Sequence, residues 1–171
     1  SRKHSKGRTR GGLADGGGTG GGDQWREDAG IEGFQLTRDL ATLSREDGRI
    51  DPAWSVDTKD SATPRAMGQL LAGIYQGKWL SDYSRRVLLD AMEETTTGKK
   101  RMRSALPLSA NLAHKTGTLA RTASDIGIFH TPDGRAIAAA TYGTGQRPGP
   151  YTHLTMPTNY SVLSSVVPRT L

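Results

Sequence analysis

At 171 residues, 34% of them apolar, the chain is long enough for one domain with its own core. It has no cysteine, which excludes a disulfide framework and thiol chemistry, and no apolar run reaches the length of a membrane span or of a signal-peptide core. The net charge of +6 suggests a nucleic-acid partner until it is located: Arg2, Lys3, Lys6, Arg8 and Arg10 supply five charges with no acid among the first ten residues, which leaves +1 for everything after them. At most a basic arm remains, and no basic binding face is expected on the folded part.

Residues 1–24 stand apart from the rest. Eight of the twelve residues from Gly11 to Gly22 are glycine, with no hydrophobic period. Such a stretch cannot bury enough apolar surface to offset its chain entropy, so 1–24 is expected to be disordered and dispensable. A phosphate-cradling loop would require Gly-x-x-x-x-Gly-Lys-Ser/Thr behind a strand, and the stretch has neither. Trp25 to Gly30 then reads as a short helix end closed by glycine, and Ile31 to Leu36 as a brief extended piece. An acidic cluster, Glu46, Asp47 and Asp51, follows.

Thr63 caps a helix with Pro64 at its first position, and Met67, Leu70, Leu71, Ile74 and Tyr75 form its apolar face until Gly77. Ser81 caps a second helix, expected to bury Tyr83, Val87, Leu88, Ala91 and Met92 before it frays into Thr95-Thr96-Thr97-Gly98. Arg101 to Leu106 reads as a short basic helix ended by Pro107. Three strands are expected next, Asn111–Thr118, Ser124–Thr131 and Ala136–Thr144, the last two joined by a Pro132-Asp133-Gly134 turn. The pattern predicts an α+β fold, an antiparallel sheet flanked by helices, in which the small residues Ala136, Ala138, Ala139 and Ala140 allow close helix approach. Residues 147–171 contain Pro148, Pro150, Pro157 and Pro168 with no sustained helical period, and are expected to be an irregular tail.

The chemistry concentrates on the first of these strands. Lys115-Thr116-Gly117-Thr118 sets a cation, a hydroxyl and a missing side chain together. The lysine attracts a carboxylate, the hydroxyl donates to it, and the glycine lets a ligand lie against the strand. The triplet alone is common enough to be an ordinary strand end. Its context is not: Ser61-Ala62-Thr63-Pro64-Arg65-Ala66-Met67 lies upstream, Arg103-Ser104-Ala105-Leu106-Pro107 just before, and Ser124-Asp125-Ile126-Gly127 just after. Together these segments resemble the C-terminal half of class A β-lactamases and their penicillin-recognising serine-hydrolase relatives, from about Ala29 to about Gln146.

The resemblance implies a partial β-lactamase/transpeptidase-like fold over 25–146, and a small-molecule β-lactam substrate with no cofactor and no metal. The histidines His4, His114, His130 and His153 show no metal-ligand spacing. It also implies that Lys115 sits beside the substrate carboxylate and Thr116 hydrogen-bonds it, that Gly117 gives clearance, and that the Thr118 N–H is one of two oxyanion-hole donors. Arg121 would add charge near the carboxylate or stand solvated on its hairpin, and His114 reads as an ordinary packed or exposed strand histidine. Counting back from Asp60, Arg45 falls where the family's loop-pinning arginine pairs with that aspartate. The water-activating glutamate's place falls on Asp47, with Glu46 beside it, and the partner asparagine's on Asp51; a solvated acidic loop is the competing reading. Ser81-Asp82-Tyr83 imitates a family motif but serves as a helix cap.

The nucleophile motif Ser-x-x-Lys occurs nowhere in the chain. The expectation is therefore half of an enzyme: a β-lactam hydrolase lacking its attacking group, or an inactive remnant or partner-dependent half that needs a complementing chain. A nucleic-acid binder led by the basic arm ranks last. The resemblance implies a periplasmic or secreted bacterial setting, although no signal peptide is seen in this chain.

Overall fold

The computed structural model describes residues 25–46, 49, 58–119, 121–144 and 160–167, with the backbone alone for 160–166. The expectations for residues 1–24, Asp47 and Asp51 lie outside the described residues. A helical turn over 25–28 opens the described chain, and Trp25 meets Trp79 edge to face with ring centroids 5.3 Å apart. A two-stranded sheet follows, β1 (Phe34–Leu36) antiparallel to β2 (Asp60–Ala62), with the short helix α1 (Leu40–Glu46) between them in sequence.

Helix α2 (Pro64–Tyr75) starts where the cap predicts. The Thr63 hydroxyl accepts the Ala66 N–H at 3.1 Å, and Pro64 occupies the first turn, where no hydrogen-bond donor is lost. Its deepest positions are taken by Ala66, Gly68, Leu71 and Gly73, and only Leu71 comes from the expected apolar face. Small residues win there because neighbours approach closely: a Cβ at Gly73 would lie 2.1 Å from the Trp79 ring. Helix α3 (Asp82–Glu93) is capped by Ser81, whose hydroxyl accepts the Ser84 N–H at 3.1 Å, and Arg85 Nη1 ties it to the Tyr75 carbonyl at 2.6 Å.

The apolar face expected of α3 is largely uncovered. Met92 alone is buried, while Tyr83 is 76% exposed and Val87 and Leu88 also face outward. A helical period shows that an apolar stripe exists, and only neighbours decide whether it is covered.

Past the short helix α4 (Met102–Ala105) comes the main sheet, β3 (Ala113–Leu119), β4 (Thr122–His130), β5 (Ala136–Thr144) and β6 (Tyr160–Val166). Its order is β3-β4-β5-β6 and every pair is antiparallel. The β4–β5 turn forms as predicted: the Thr131 N–H donates to the Arg135 carbonyl at 2.9 Å, and Gly134 takes φ +81, which its missing side chain permits. Leu71 and Met92 pack on Ala113, Ile128, Ala136, Ala138 and Val167 to form the core. Ala138 and Ala140 are fully buried, so small side chains do let α2 lie close over β5.

The three expected strands are present and a fourth joins them. Residues 147–171 are not irregular throughout, because Tyr160–Val166 extends along β5. The prolines at 157 and 168 bracket this strand, and their density hid it in the sequence. The α+β architecture stands, and no helix among the described residues is long and apolar enough to cross a membrane.

Candidate active site

Strand β3 carries Lys115-Thr116-Gly117-Thr118 and lies at the margin of the sheet, paired among the described residues only with β4. Backbone groups of successive residues point to opposite sides of a strand. The His114 carbonyl accepts the Thr95 hydroxyl at 2.8 Å and the Thr116 carbonyl accepts Lys115 Nζ at 2.6 Å, so the even-numbered residues turn their backbone to the open side. By the same alternation the Thr118 N–H faces out of the sheet. It is available to a ligand's developing negative charge.

The side chains around it are polar and charged. Lys115 is exposed, and its ammonium folds round the open edge to reach the Thr116 carbonyl. The Thr116 hydroxyl lies 2.7 Å from that of Thr97, at the end of the segment that follows α3. Gly117 faces the other way, where a Cβ would stand 2.6 Å from the Ser124 hydroxyl. The clearance expected there for a ligand is taken by the cross-strand serine, and glycine is needed to admit it. Arg121 is exposed at the β3–β4 turn.

Arg101, unremarked in the sequence beyond its basic run, holds the strand pair from the side. Its Nη1 donates to the carbonyls of Gly117 at 3.0 Å and Ser124 at 2.8 Å, and its Nη2 donates to the Thr118 hydroxyl at 2.6 Å. His114 also exceeds the ordinary strand histidine expected of it. Its Nδ1 lies 2.9 Å from Asp125 Oδ1, both side chains fully buried, and the other carboxylate oxygen accepts the Met102 N–H at 3.0 Å. Its Nε2 is buried with no hydrogen-bond partner among the described residues. A buried polar pair crossing two strands penalises any slip in their register, because a shift would strand both groups. Sequence reasoning missed this pair because only the β3–β4 register, which sets Asp125 opposite Thr116 and Gly127 opposite His114, brings the two side chains together.

The loop-pinning pair forms with a different arginine. Arg38, not Arg45, donates from Nε to Asp60 Oδ2 at 2.5 Å and from Nη1 to Glu46 at 2.5 Å. Asp60 Oδ1 accepts the N–H groups of Thr37 at 2.8 Å and Arg38 at 3.1 Å, and its side chain is 5% exposed. Arg45 instead reaches back one helical turn to the Thr42 hydroxyl at 3.1 Å. Counting a fixed interval back from Asp60 missed the true partner because α1 sits between, whereas the β1–β2 ladder brings Leu36 directly opposite Asp60 and delivers Arg38 beside it.

The same guanidinium decides the state of Glu46. Its hydrogen bond and charge hold the Glu46 carboxyl below the usual glutamate range. A carboxylate fixed on an arginine is an anchor, whereas a general base works best with a pKa near the operating pH. Among the described residues no group of three or more histidine, aspartate or glutamate side chains is arranged to hold a metal.

A model of the β-lactamase enzyme family matches residues 13–157. The β-lactamase VEB-1 of Pseudomonas aeruginosa is 35% identical over 112 residues, which cover 61% of this chain and 37% of that protein. A β-lactamase of Mycobacterium tuberculosis is 33% identical over 126 residues, covering 71% of this chain and 39% of its own length. Among solved structures, a β-lactamase from Chitinophaga pinensis superposes with a TM-score of 0.66 at 33% identity, over 78% of this chain and 49% of that one. The chain spans less than half the length of each of these relatives.

Proposed function

The chain belongs to the β-lactamase enzyme family and resembles its class A members over part of their length, and on that premise we propose that β3 is the ligand-recognising wall of a site for hydrolysing β-lactam amides. The single observation that carries this reading is the open edge of β3, where the Lys115 ammonium reaches the Thr116 carbonyl and strand alternation turns the Thr118 N–H to the same side. A β-lactam offers a carboxylate and a strained amide carbonyl a few bonds apart. Lys115 attracts the carboxylate and the Thr116 and Thr118 hydroxyls hydrogen-bond it. The Thr118 N–H donates to the carbonyl oxygen, most strongly when that oxygen becomes an oxyanion. Arg121 at the neighbouring turn adds positive field.

Acyl transfer also needs an attacking group, and the sequence holds no Ser-x-x-Lys. Asp47 or Glu46 would at best activate water for the second step of a reaction whose first step has no nucleophile, and Glu46 is engaged by Arg38. These residues by themselves therefore bind a β-lactam without turning it over, and catalysis requires a further segment, in the same protein or in a complementing one, that brings the serine and its lysine.

Titration of the isotope-labelled chain with benzylpenicillin tests the reading. Amide resonances of residues 115–118 are expected to shift, the shifts are expected to disappear in Lys115→Ala, and neither hydrolysis of a chromogenic cephalosporin nor a covalent penicillin adduct is expected. Shifts elsewhere but not at 115–118 would remove the assignment of β3, and an adduct abolished by Lys115→Ala would reveal a nucleophile among the remaining hydroxyls.

A further inference from the structure

Strand β6 begins at Tyr160, beyond the 13–157 segment that matches the family. It nevertheless runs in register along β5, from Tyr160 opposite Gly143 to Val166 opposite Ile137. The next residue, Val167, donates its N–H to the Ala136 carbonyl at 2.9 Å and is 3% exposed in the core against Leu71, Met92, Ala113 and Ile128. We propose that residues 160–167 are an intramolecular strand donor: they close the outer edge of β5, which would otherwise accept an extended strand from another polypeptide.

The reason lies in β5 itself. From Ala136 to Thr144 it reads AIAAATYGT, with no charge and no proline. Sheet edges that must stay free carry such residues to prevent pairing with other chains, and an uncharged strand with buried alanines at its centre has no such protection. Alternation along the ladder identifies the groups at stake. With Ala136 bonded to Val167, the backbone of Ala138, Ala140 and Tyr142 turns toward β6, while that of Ile137, Ala139 and Thr141 turns toward β4. Main-chain pairing of this kind gives affinity for an added strand with little demand on its side chains, so a segment outside the family pattern can serve.

The test is site-resolved amide exchange in the full chain and in Leu163→Pro, which removes the donor opposite Ala140. Protection is expected to fall by about tenfold or more at Ala138, Ala140 and Tyr142 and to persist at Ile137, Ala139 and Thr141, since only the outer ladder opens. A chain ending at residue 159 is expected to behave likewise and to regain protection when a peptide of residues 159–168 is added, with no effect from the same peptide carrying Leu163→Pro. Loss at all six amides that the peptide reverses also supports the proposal. Unchanged protection in both altered chains overturns it, as does a loss that the peptide fails to reverse. Protection in the full chain that rises with protein concentration, together with a dimer in solution, would show that the strand comes from a second copy and would overturn the intramolecular assignment.

Discussion

The two margins of the sheet solve the same problem in opposite ways. At β3 the open edge is lined by Lys115, Thr116 and Thr118 and flanked by Arg101, and side chains take up the carbonyls that no strand pairs. On the far side β5 carries neither charge nor proline, and a further strand lies along it. An edge that keeps its backbone available for a ligand must be charged and held rigid from behind, while an edge with neither charge nor ligand must be covered.

The sharpest test of that contrast is the support behind β3. His114→Ala leaves the Asp125 side chain buried without its imidazole partner, and roughly 3–5 kcal/mol of stability should be lost, read from urea unfolding. If the loss is under about 1 kcal/mol, the pair is not what fixes the β3–β4 register. On the covered side, Val167→Ala removes two buried methyl groups and should cost about 2 kcal/mol. An equal unfolding midpoint for both proteins would mean the tail contributes nothing to the core.

Arg101→Ala should cost less, about 1–2 kcal/mol, because the carbonyls it serves are only partly buried and can turn to water. Its diagnostic signature is local: amide exchange should quicken at the paired residues Gly117 and Ser124 while β5 is unaffected. The smallest effect is the pH dependence of the Arg38–Glu46 contact. Arg38 depresses the folded-state pKa of Glu46, so the unfolded chain takes up that proton first as pH falls, and the contact's contribution is present above the ordinary glutamate value of about 4.3 and lost below it. The stability difference between the native chain and Glu46→Gln should be constant above about pH 5 and shrink as pH falls through the folded value. A difference that persists unchanged to pH 3 would assign the effect to something other than the charge.

Elements whose signals lie within a few residues were legible in the sequence. Thr63-Pro64 and Ser81 start helices and Pro132-Asp133-Gly134 turns a hairpin because caps and turns satisfy backbone groups locally. The Lys115-to-Thr118 motif also stood out, since its chemistry is carried by adjacent residues. What escaped depends on which distant groups meet. Arg38 displaced Arg45 because the β1–β2 ladder brings residue 38 to Asp60, and Tyr83 stays exposed because no described element packs over that side of α3.

The amino-acid sequence by itself therefore determined the α+β class, the positions of the capped helices and the β4–β5 hairpin, and the strand that bears Lys115-Thr116-Gly117-Thr118, because propensity, capping and alternation act over one or two turns of chain. Tertiary structure alone decided that His114 and Asp125 form a buried pair, that Arg101 braces the motif, and that a proline-bracketed tail supplies the fourth strand. Each of these needs chain segments far apart in sequence to be brought to hydrogen-bonding distance, and only the packed core led by Leu71, Ile128, Ala138 and Val167 sets those distances.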